Sequence, residues 1–259
     1  MPASVTVEQA AAVAVIRYAD APTGLISNGG AARLAEAVQA ALDDPAIRAL
    51  ILTGRDDVFI RHADVAQIAR AAEALDAGAI QPASFVGAPF DRLGRMIEGA
   101  DKPVIAAING ACMGGGFEIA LACHMRIAQA SVAAIGLPEI RLDLFPGAGG
   151  PERLARLVGP HRARLFMLEG AVVTAEAALA QGLVDAVAPD ALNAALDAAA
   201  RWTGRSASAV AAVLRLTRPP AGHAEGSVLA FGELLRDQAA LRPRLARFIA
   251  DGEALDRLP

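Results

Sequence analysis

The 259-residue chain carries 24 basic and 28 acidic side chains, a formal net charge of −4, with no long run of one sign. This balance excludes a strong electrostatic case for nucleic acid or an anionic membrane, although a small anionic ligand needs only a few local cations. Hydrophobic residues make up 54% of the chain but aromatic ones only 4%, so the excess is mostly alanine. The length suits one large α/β domain or two smaller ones.

Cysteine usage and the N-terminus bear on the compartment. Cys112 and Cys123 lie in an apolar stretch without CxxC or Cys/His metal spacing, which predicts buried thiols in a reducing compartment and no metal site. The opening MPASVTVEQA has no signal-peptide pattern. The most apolar segment, 103–123, is interrupted by Asn109, four glycines and Glu118, which argues against a membrane span. We therefore expect a cytoplasmic chain.

Buried strands and amphipathic helices alternate over the first 150 or so residues. The predicted strands and short apolar runs are 12–18, 49–53, 58–60 and 103–108, and the predicted helices are 29–42, 64–77 and 89–100. Asn28 is the candidate N-cap of the first helix, and Gly78 ends the second. This alternation predicts a largely parallel sheet with crossover helices.

The second part of the chain is predicted to be mainly helical. The helices are 151–158, 161–168, 174–181, 191–204, 207–216 and a long one near 225–250, with one strand at 183–188. The sequence therefore predicts an α/β core over 1–190 followed by a helical region over 191–259.

The segment INGACMGGGFEIALAC at 108–123 is the most informative one. Three glycines follow a predicted strand and turn, and the next residues have a helical pattern, so the amides of Gly115 and Gly116 should lie near a helix N-terminus. Such amides suit an anion or a developing oxyanion; a tight turn packed on a neighbouring helix is the alternative. The run lacks the G-x-G-x-x-G spacing of a dinucleotide fold and the GK[ST] ending of a P-loop.

Two carboxylates stand out in this region. Glu118 lies among apolar neighbours, where burial would raise its pKa towards values useful in acid–base catalysis. The alternative is a first-turn carboxylate favoured by the helix dipole. Glu139 lies 21 residues further on, beyond a break in the helix, so only tertiary folding can bring the two together.

Five segments, in order, resemble the crotonase family, the enoyl-CoA hydratase/isomerase group. They are LTG at 52–54, F-x-x-x-A-D at 59–64, KPVIAAINGACMGGGFEIALAC at 102–123, GLPEIRLDLFPGAGGPERLARLVG at 136–159 and A-x-x-A-x-G-L-V-D at 177–185. The resemblance implies an α/β fold, a spiral of ββα units with a helical C-terminal trimerisation region. It also implies a homotrimer or a dimer of trimers.

The resemblance further implies an activity on an acyl-CoA thioester. By motif position, the amides of Ala63 and Gly115 would stabilise an enolate-like oxyanion. Glu118 would help to orient and deprotonate a water that attacks C3 of a trans-2-enoyl-CoA, and Glu139 would exchange the proton at C2. The product would be a 3-hydroxyacyl-CoA.

The same resemblance places further residues around the substrate. Gly147 matches a family position that lines the water and acyl pocket, and Gly114 and His62 are expected in the pocket as well. Because the oxyanion donors are backbone amides, the implied chemistry requires no metal, flavin or nicotinamide. Coenzyme A enters only as part of the substrate.

The chain departs from the family pattern at several positions. Arg61 and His62 replace an Ala-Gly pair, and His62 would be strained if the usual Gly needs a positive φ. His124 replaces a common Asp, Asp143 replaces a Gly, and a segment that touches CoA in the family is degraded to YADAPTGLIS. Asp64 is expected to cap the following helix rather than act as an acid.

Three functional hypotheses remain open after these departures. The first is an enoyl-CoA hydratase, because both glutamates are present. The second is another crotonase chemistry, either double-bond isomerisation or thioester hydrolysis. The third is a noncatalytic acyl-CoA-binding homologue.

Overall fold

This computed structural model describes residues 3–237 and 240–255. This part of the chain contains ten β-strands and eleven α-helices. The strands are β1 (Ser4–Ala10), β2 (Val13–Ala19), β3 (Ala49–Thr53), β4 (Val58–Ile60), β5 (Val104–Ile108), β6 (Ala111–Met113), β7 (Met125–Gln129), β8 (Ile135–Gly136), β9 (Val172–Val173) and β10 (Ala186–Ala188). The helices are α1 (Asn28–Asp43), α2 (Val65–Asp76), α3 (Pro89–Glu98), α4 (Gly115–Ala122), α5 (Gly150–Val158), α6 (Pro160–Leu168), α7 (Ala175–Ala180), α8 (Ala191–Thr203), α9 (Ala207–Thr217), α10 (Glu225–Asp237) and α11 (Leu241–Ala250). Short 3₁₀ helices cover Pro82–Phe85 and Glu139–Leu142.

The strands form two sheets, and from β3 to β8 consecutive strands belong alternately to one sheet and the other. The larger sheet has the order β1-β2-β3-β5-β7-β10 and the smaller one β4-β6-β8-β9. All neighbours are parallel except the pairs β1–β2 and β8–β9. In β3–β4, β5–β6 and β7–β8, the first strand enters the larger sheet and the second the smaller. A helix follows both β4 and β6, so the predicted α/β class and its ββα path are confirmed.

The interior is built from uninterrupted apolar runs of small residues. Every residue of β5 is buried, as expected for a central parallel strand covered on both faces. All eight residues of α4 are also buried. On the other face of the larger sheet, α8 packs its alanines against β3, β5 and β7. The buried middle of the molecule therefore carries the glycine-rich segment at the start of α4.

Some predicted boundaries were wrong. The N-cap of α1 is Ser27 rather than Asn28, because the Ser27 hydroxyl accepts a hydrogen bond from the Gly30 amide at 3.1 Å. The predicted strand at 183–188 is shorter, since only β10 is extended. The predicted long helix near 225–250 is two helices, α10 and α11, and part of the join lies outside the described residues.

The C-terminal helices pack onto the core described above. Leu235 of α10 and Leu245 and Phe248 of α11 belong to a buried cluster with Val65 of α2. The predicted boundary at residue 190 falls between β10 and α8, and the division into two regions stays a prediction. Both cysteines are buried and unpaired, as predicted. Within the described ranges, no helix has the length and apolarity needed to cross a membrane.

Candidate active site

A mainly apolar cavity of about 150 Å³ opens where the starts of α2 and α4 approach the C-terminal helices. Its apolar wall includes Phe90, Phe231 and Leu255. All seven site residues predicted from the sequence line it: His62, Ala63, Gly114, Gly115, Glu118, Glu139 and Gly147. The structure therefore brings together two distant carboxylates and two backbone segments that follow the short strands β4 and β6.

Two backbone amides, of Ala63 and Gly115, meet at one side of the cavity. A Cβ placed on Gly115 would lie 3.4 Å from the Ala63 nitrogen and 3.1 Å from the Ala63 Cβ. The peptide chain around Ala63 is fixed because Ile26 donates to the His62 carbonyl and accepts from the Asp64 amide, both at 2.9 Å. Within the described chain, neither the Ala63 nor the Gly115 amide is used in a hydrogen bond. The two amides are thus available to a ligand oxygen.

Glu118 is held by the loop that precedes α5. Its Oε1 atom accepts hydrogen bonds from the amides of Ala148 and Gly150, each at 2.8 Å. Burial raises the pKa of Glu118, whereas these two donors oppose the rise. A Cβ at Gly150 would lie 2.8 Å from Oε1, so the loop reaches the carboxylate only with glycine there. The sequence analysis missed these two amides, although the GAGG run before a predicted helix was their signal.

Glu139 faces the same space from the first turn of a 3₁₀ helix. A Cβ at Gly114 would lie 3.1 Å from its Oε1. Its Oε2 atom is buried and has no hydrogen-bond partner in the described chain. Burial raises the pKa of Glu139 well above its ordinary value, and the nearby Glu118 charge raises it further. The surroundings therefore favour a protonated Glu139 beside a Glu118 whose anion is supported by two amides.

His62 carries none of the expected strain. It is 1% exposed, and it is absent from the non-glycine residues with positive φ in the described ranges. Its Nδ1 lies 2.8 Å from the Ala63 carbonyl oxygen and its Nε2 lies 3.1 Å from the Glu253 carbonyl oxygen. Burial lowers the pKa of His62 despite these two contacts. The imidazole therefore joins the 62–64 loop to the turn after α11.

Two other departures from the family pattern, Asp143 and His124, also have local explanations. Asp143 occupies the left-handed region at φ 60°, which Asp tolerates better than most residues, and pairs with Arg244 at 2.6 Å. The Nδ1 of His124 accepts from the Val104 amide at 3.0 Å, and burial lowers the pKa of His124 to about 4. Asp64 caps α2 as predicted, since its side chain accepts from the Gln67 amide at 3.1 Å.

Known proteins share this sequence pattern. The family model described as enoyl-CoA hydratase/isomerase matches residues 8–231. A crotonyl-CoA hydratase from Syntrophomonas wolfei is 44% identical over 155 residues, which are 59% of this chain and 56% of that protein. A peroxisomal bifunctional enzyme from Danio rerio is 37% identical over 175 residues, which are 68% of this chain and 22% of that protein. The matched stretches thus span just over half of the first relative and under a quarter of the second.

Solved structures agree over nearly the whole chain. A carnitinyl-CoA hydratase from Mycobacterium avium is 30% identical with a TM-score of 0.77, and the match covers 98% of this chain and 97% of that one. The human mitochondrial delta3-delta2-enoyl-CoA isomerase has a TM-score of 0.83 at 23% identity, covering 96% and 98%, and shows the shared fold. The chain belongs to the enoyl-CoA hydratase/isomerase family.

Proposed function

We propose that the protein is an enoyl-CoA hydratase, which adds water in syn fashion to a trans-2-enoyl-CoA and gives a 3-hydroxyacyl-CoA. The observation that carries this proposal is the convergence of two differently supported glutamates and two unused amides on one apolar cavity. The hydratases named among the relatives support it.

The two carboxyl groups divide the proton transfers between them. Glu118, with its anion supported by Ala148 and Gly150, accepts a proton from the water that attacks C3. Glu139, whose surroundings favour the protonated form, delivers a proton to C2. Neighbouring carboxyls whose environments separate their pKa values are the usual basis for such acid and base roles.

The amides of Ala63 and Gly115 make the thioester electrophilic. As water adds at C3, negative charge grows on the thioester oxygen, and the two N–H groups stabilise it. Removal of one such donor typically costs about 3 kcal/mol, or on the order of 10²–10³ in rate. Gly115 is the first residue of α4, so the helix dipole adds to the effect. Chain groups supply every step, so the proposed reaction uses no cofactor beyond the CoA of its substrate.

The decisive assay follows the loss of enoyl-thioester absorbance with crotonyl-CoA and with longer trans-2-enoyl-CoAs. We expect hydration by the wild-type protein. Glu118→Gln and Glu139→Gln should each reduce the rate by on the order of 10²–10⁴, because each removes a general acid or base. Hydration at the wild-type rate in both variants would contradict the proposal.

The same preparations separate the alternative activities. Release of free CoA would identify a thioester hydrolase, and conversion of a 3-enoyl-CoA to its conjugated isomer without hydration would identify an isomerase. Tight CoA-thioester binding with no turnover of any thioester would identify a noncatalytic homologue.

We propose that the protein assembles as a homotrimer or a dimer of trimers. Helix α9 supports self-association, since none of its residues is buried within the chain. Its Val213 is 61% exposed and its Leu216 86% exposed. Large apolar side chains presented together in this way mark contact surfaces.

A further inference from the structure

A buried ion pair lies behind the loop that holds Glu118, outside the cavity lining. Arg153 of α5 donates from Nη2 to Glu98 Oε2 of α3 at 2.9 Å, and the two side chains are 1% and 7% exposed. Burial opposes the ionisation of Glu98. Three nearby groups nevertheless hold the pKa of Glu98 below its ordinary value: Arg153, Arg156 and His223. Buried ion pairs seldom add net stability over apolar residues of similar size, so stability alone explains this pair poorly.

The guanidinium of Arg153 occupies a slot that two glycines leave open. A Cβ at Gly149 would lie 2.7 Å from Nη1, and a Cβ at Gly94 would lie 2.7 Å from Nη2. Any side chain at either position would displace the guanidinium. The Nη1 group donates to the Ala148 carbonyl oxygen, so Arg153 joins the Glu98 carboxylate to the loop before α5.

Ala148 is therefore held from both sides. Its carbonyl oxygen accepts from Arg153, and its amide donates to Glu118 Oε1 at 2.8 Å. We propose that Arg153, anchored by Glu98, is a positioning residue that fixes the 148–150 loop and through it the carboxylate of Glu118, an inference that rests on the proposed function. Burial raises the pKa of Glu118, and the Arg153 charge, together with the two loop amides, opposes that rise.

Arg156 offers a matched control. Its Nη2 contacts Oε1 of the same Glu98 carboxylate at 2.8 Å, but its side chain is 43% exposed. No hydrogen bond joins Arg156 to the 148–150 loop in the described part of the chain. Arg156→Met thus removes an ion pair from Glu98 and leaves the connection to Ala148 intact.

The experiment compares Arg153→Met with Arg156→Met in enoyl-CoA hydration. Arg153→Met should reduce kcat by on the order of 10²-fold with little change in KM, because a shift of about 1 Å in a reacting group has that effect. The acidic limb of its pH–rate profile should move to higher pH, since the lost positive charge no longer supports the Glu118 anion. Arg156→Met should keep the wild-type kcat and the wild-type acidic limb.

Amide hydrogen exchange provides a measurement that needs no turnover. Peptides covering 145–151 should exchange faster in Arg153→Met than in the wild type, and at the wild-type rate in Arg156→Met. If Arg153→Met does not fold, Glu98→Gln replaces it, because loss of the anchor should produce the same changes in smaller degree.

Equal effects of the two arginine substitutions on kcat, pH profile and exchange would overturn the inference. So would a lower Tm for Arg153→Met with unchanged kcat and an unchanged acidic limb. If the wild-type protein hydrates no enoyl-CoA, the proposed function fails, and the exchange comparison alone decides whether Arg153 fixes the loop.

Discussion

Glu118 and Glu139 are the same side chain with different surroundings. Glu118 receives two backbone donors, whereas the Oε2 of Glu139 is buried without a partner in the described chain. Ionising a carboxyl group in an apolar space costs more when it receives fewer hydrogen bonds, as at Glu139. The acid and base roles proposed here follow from that difference.

Glu139→Gln should stabilise the fold at neutral pH. The folded chain holds the pKa of Glu139 well above its ordinary 4.5, so it binds this proton more tightly than the unfolded chain does. The stability from that proton is fully present below pH 4.5 and is lost as the pH rises through the raised pKa. Each tenfold difference in proton affinity corresponds to about 1.4 kcal/mol.

Thermal unfolding of both proteins from about pH 5 to about pH 8 checks this prediction. The Tm of the variant should exceed that of the wild type, and the gap should widen with rising pH. A gap that is constant with pH would contradict it. A gain in stability on replacing Glu139 is expected where a residue serves function at the expense of stability.

Among single residues, the sequence indicated which side chains are unusual but did not predict the groups that they contact. Glu118 stood out because its neighbours are apolar, and the resemblance identified Glu139. The amides of Ala148 and Gly150 belong to an ordinary-looking loop, and only tertiary folding aims them at Glu118. The Arg153–Glu98 pair joins positions 55 residues apart in the chain, which no local pattern encodes.

Among the elements, the turn after α11 depends on a residue far from it in sequence. His62 contacts the Glu253 carbonyl oxygen, and its ring lies 6.1 Å from that of Phe248. Leu255, just beyond, lines the cavity. His62, which replaces a family glycine, therefore couples the 62–64 loop to the wall of the cavity.

His62→Gly should release this turn. With its proton on Nε2, the imidazole donates to the Glu253 carbonyl oxygen; the variant loses this hydrogen bond, worth about 0.5–1.5 kcal/mol, and the packing on Phe248. Amide exchange over 248–255 should become faster, and longer enoyl-CoAs should gain in kcat/KM relative to crotonyl-CoA.

Glu253→Ala is the matched variant for this experiment. The acceptor is the backbone carbonyl of Glu253, so removal of its side chain should leave the turn docked and the chain-length preference unchanged. Unaltered exchange and preference in His62→Gly would mean that the histidine is merely tolerated.

The core elements were predictable because their patterns are strong. The continuous apolar runs of β3 and β5 and the helical period of α1 follow directly from burial on the sheet. Strand β1 was missed because five of its seven residues are exposed, and its alternation is limited to Val5 and Val7 between polar residues. The two-residue strands β8 and β9 are too short to carry a signal of their own.

For the whole molecule, the two sheets bring the site together. The strands that the chain contributes to the smaller sheet are short. The segments that follow two of them, β4 and β6, supply Ala63 and Gly115. The fold class could be predicted from alternation along the chain. The meeting of these two amides could not, because it depends on strand order and register.

The double variant Val213→Lys/Leu216→Lys should weaken self-association. Burial of a leucine or valine side chain contributes about 1.5–3 kcal/mol, and lysine at either position replaces that gain with a desolvation cost. Sedimentation velocity should show a trimer or hexamer for the wild type and smaller species for the variant. A monomeric wild-type protein over the whole concentration range would refute the proposed assembly.

The backbone origin of the proposed oxyanion donors has an evolutionary consequence. Any substitution at Ala63 other than proline changes the side chain and leaves the backbone N–H in place, because the flanking His62 and Asp64 are hydrogen-bonded to Ile26. At Gly115 any side chain would collide with Phe90, 2.9 Å from its Cβ, so selection there acts on size alone. Point mutation can therefore replace the two glutamates more readily than it can remove the two backbone N–H groups.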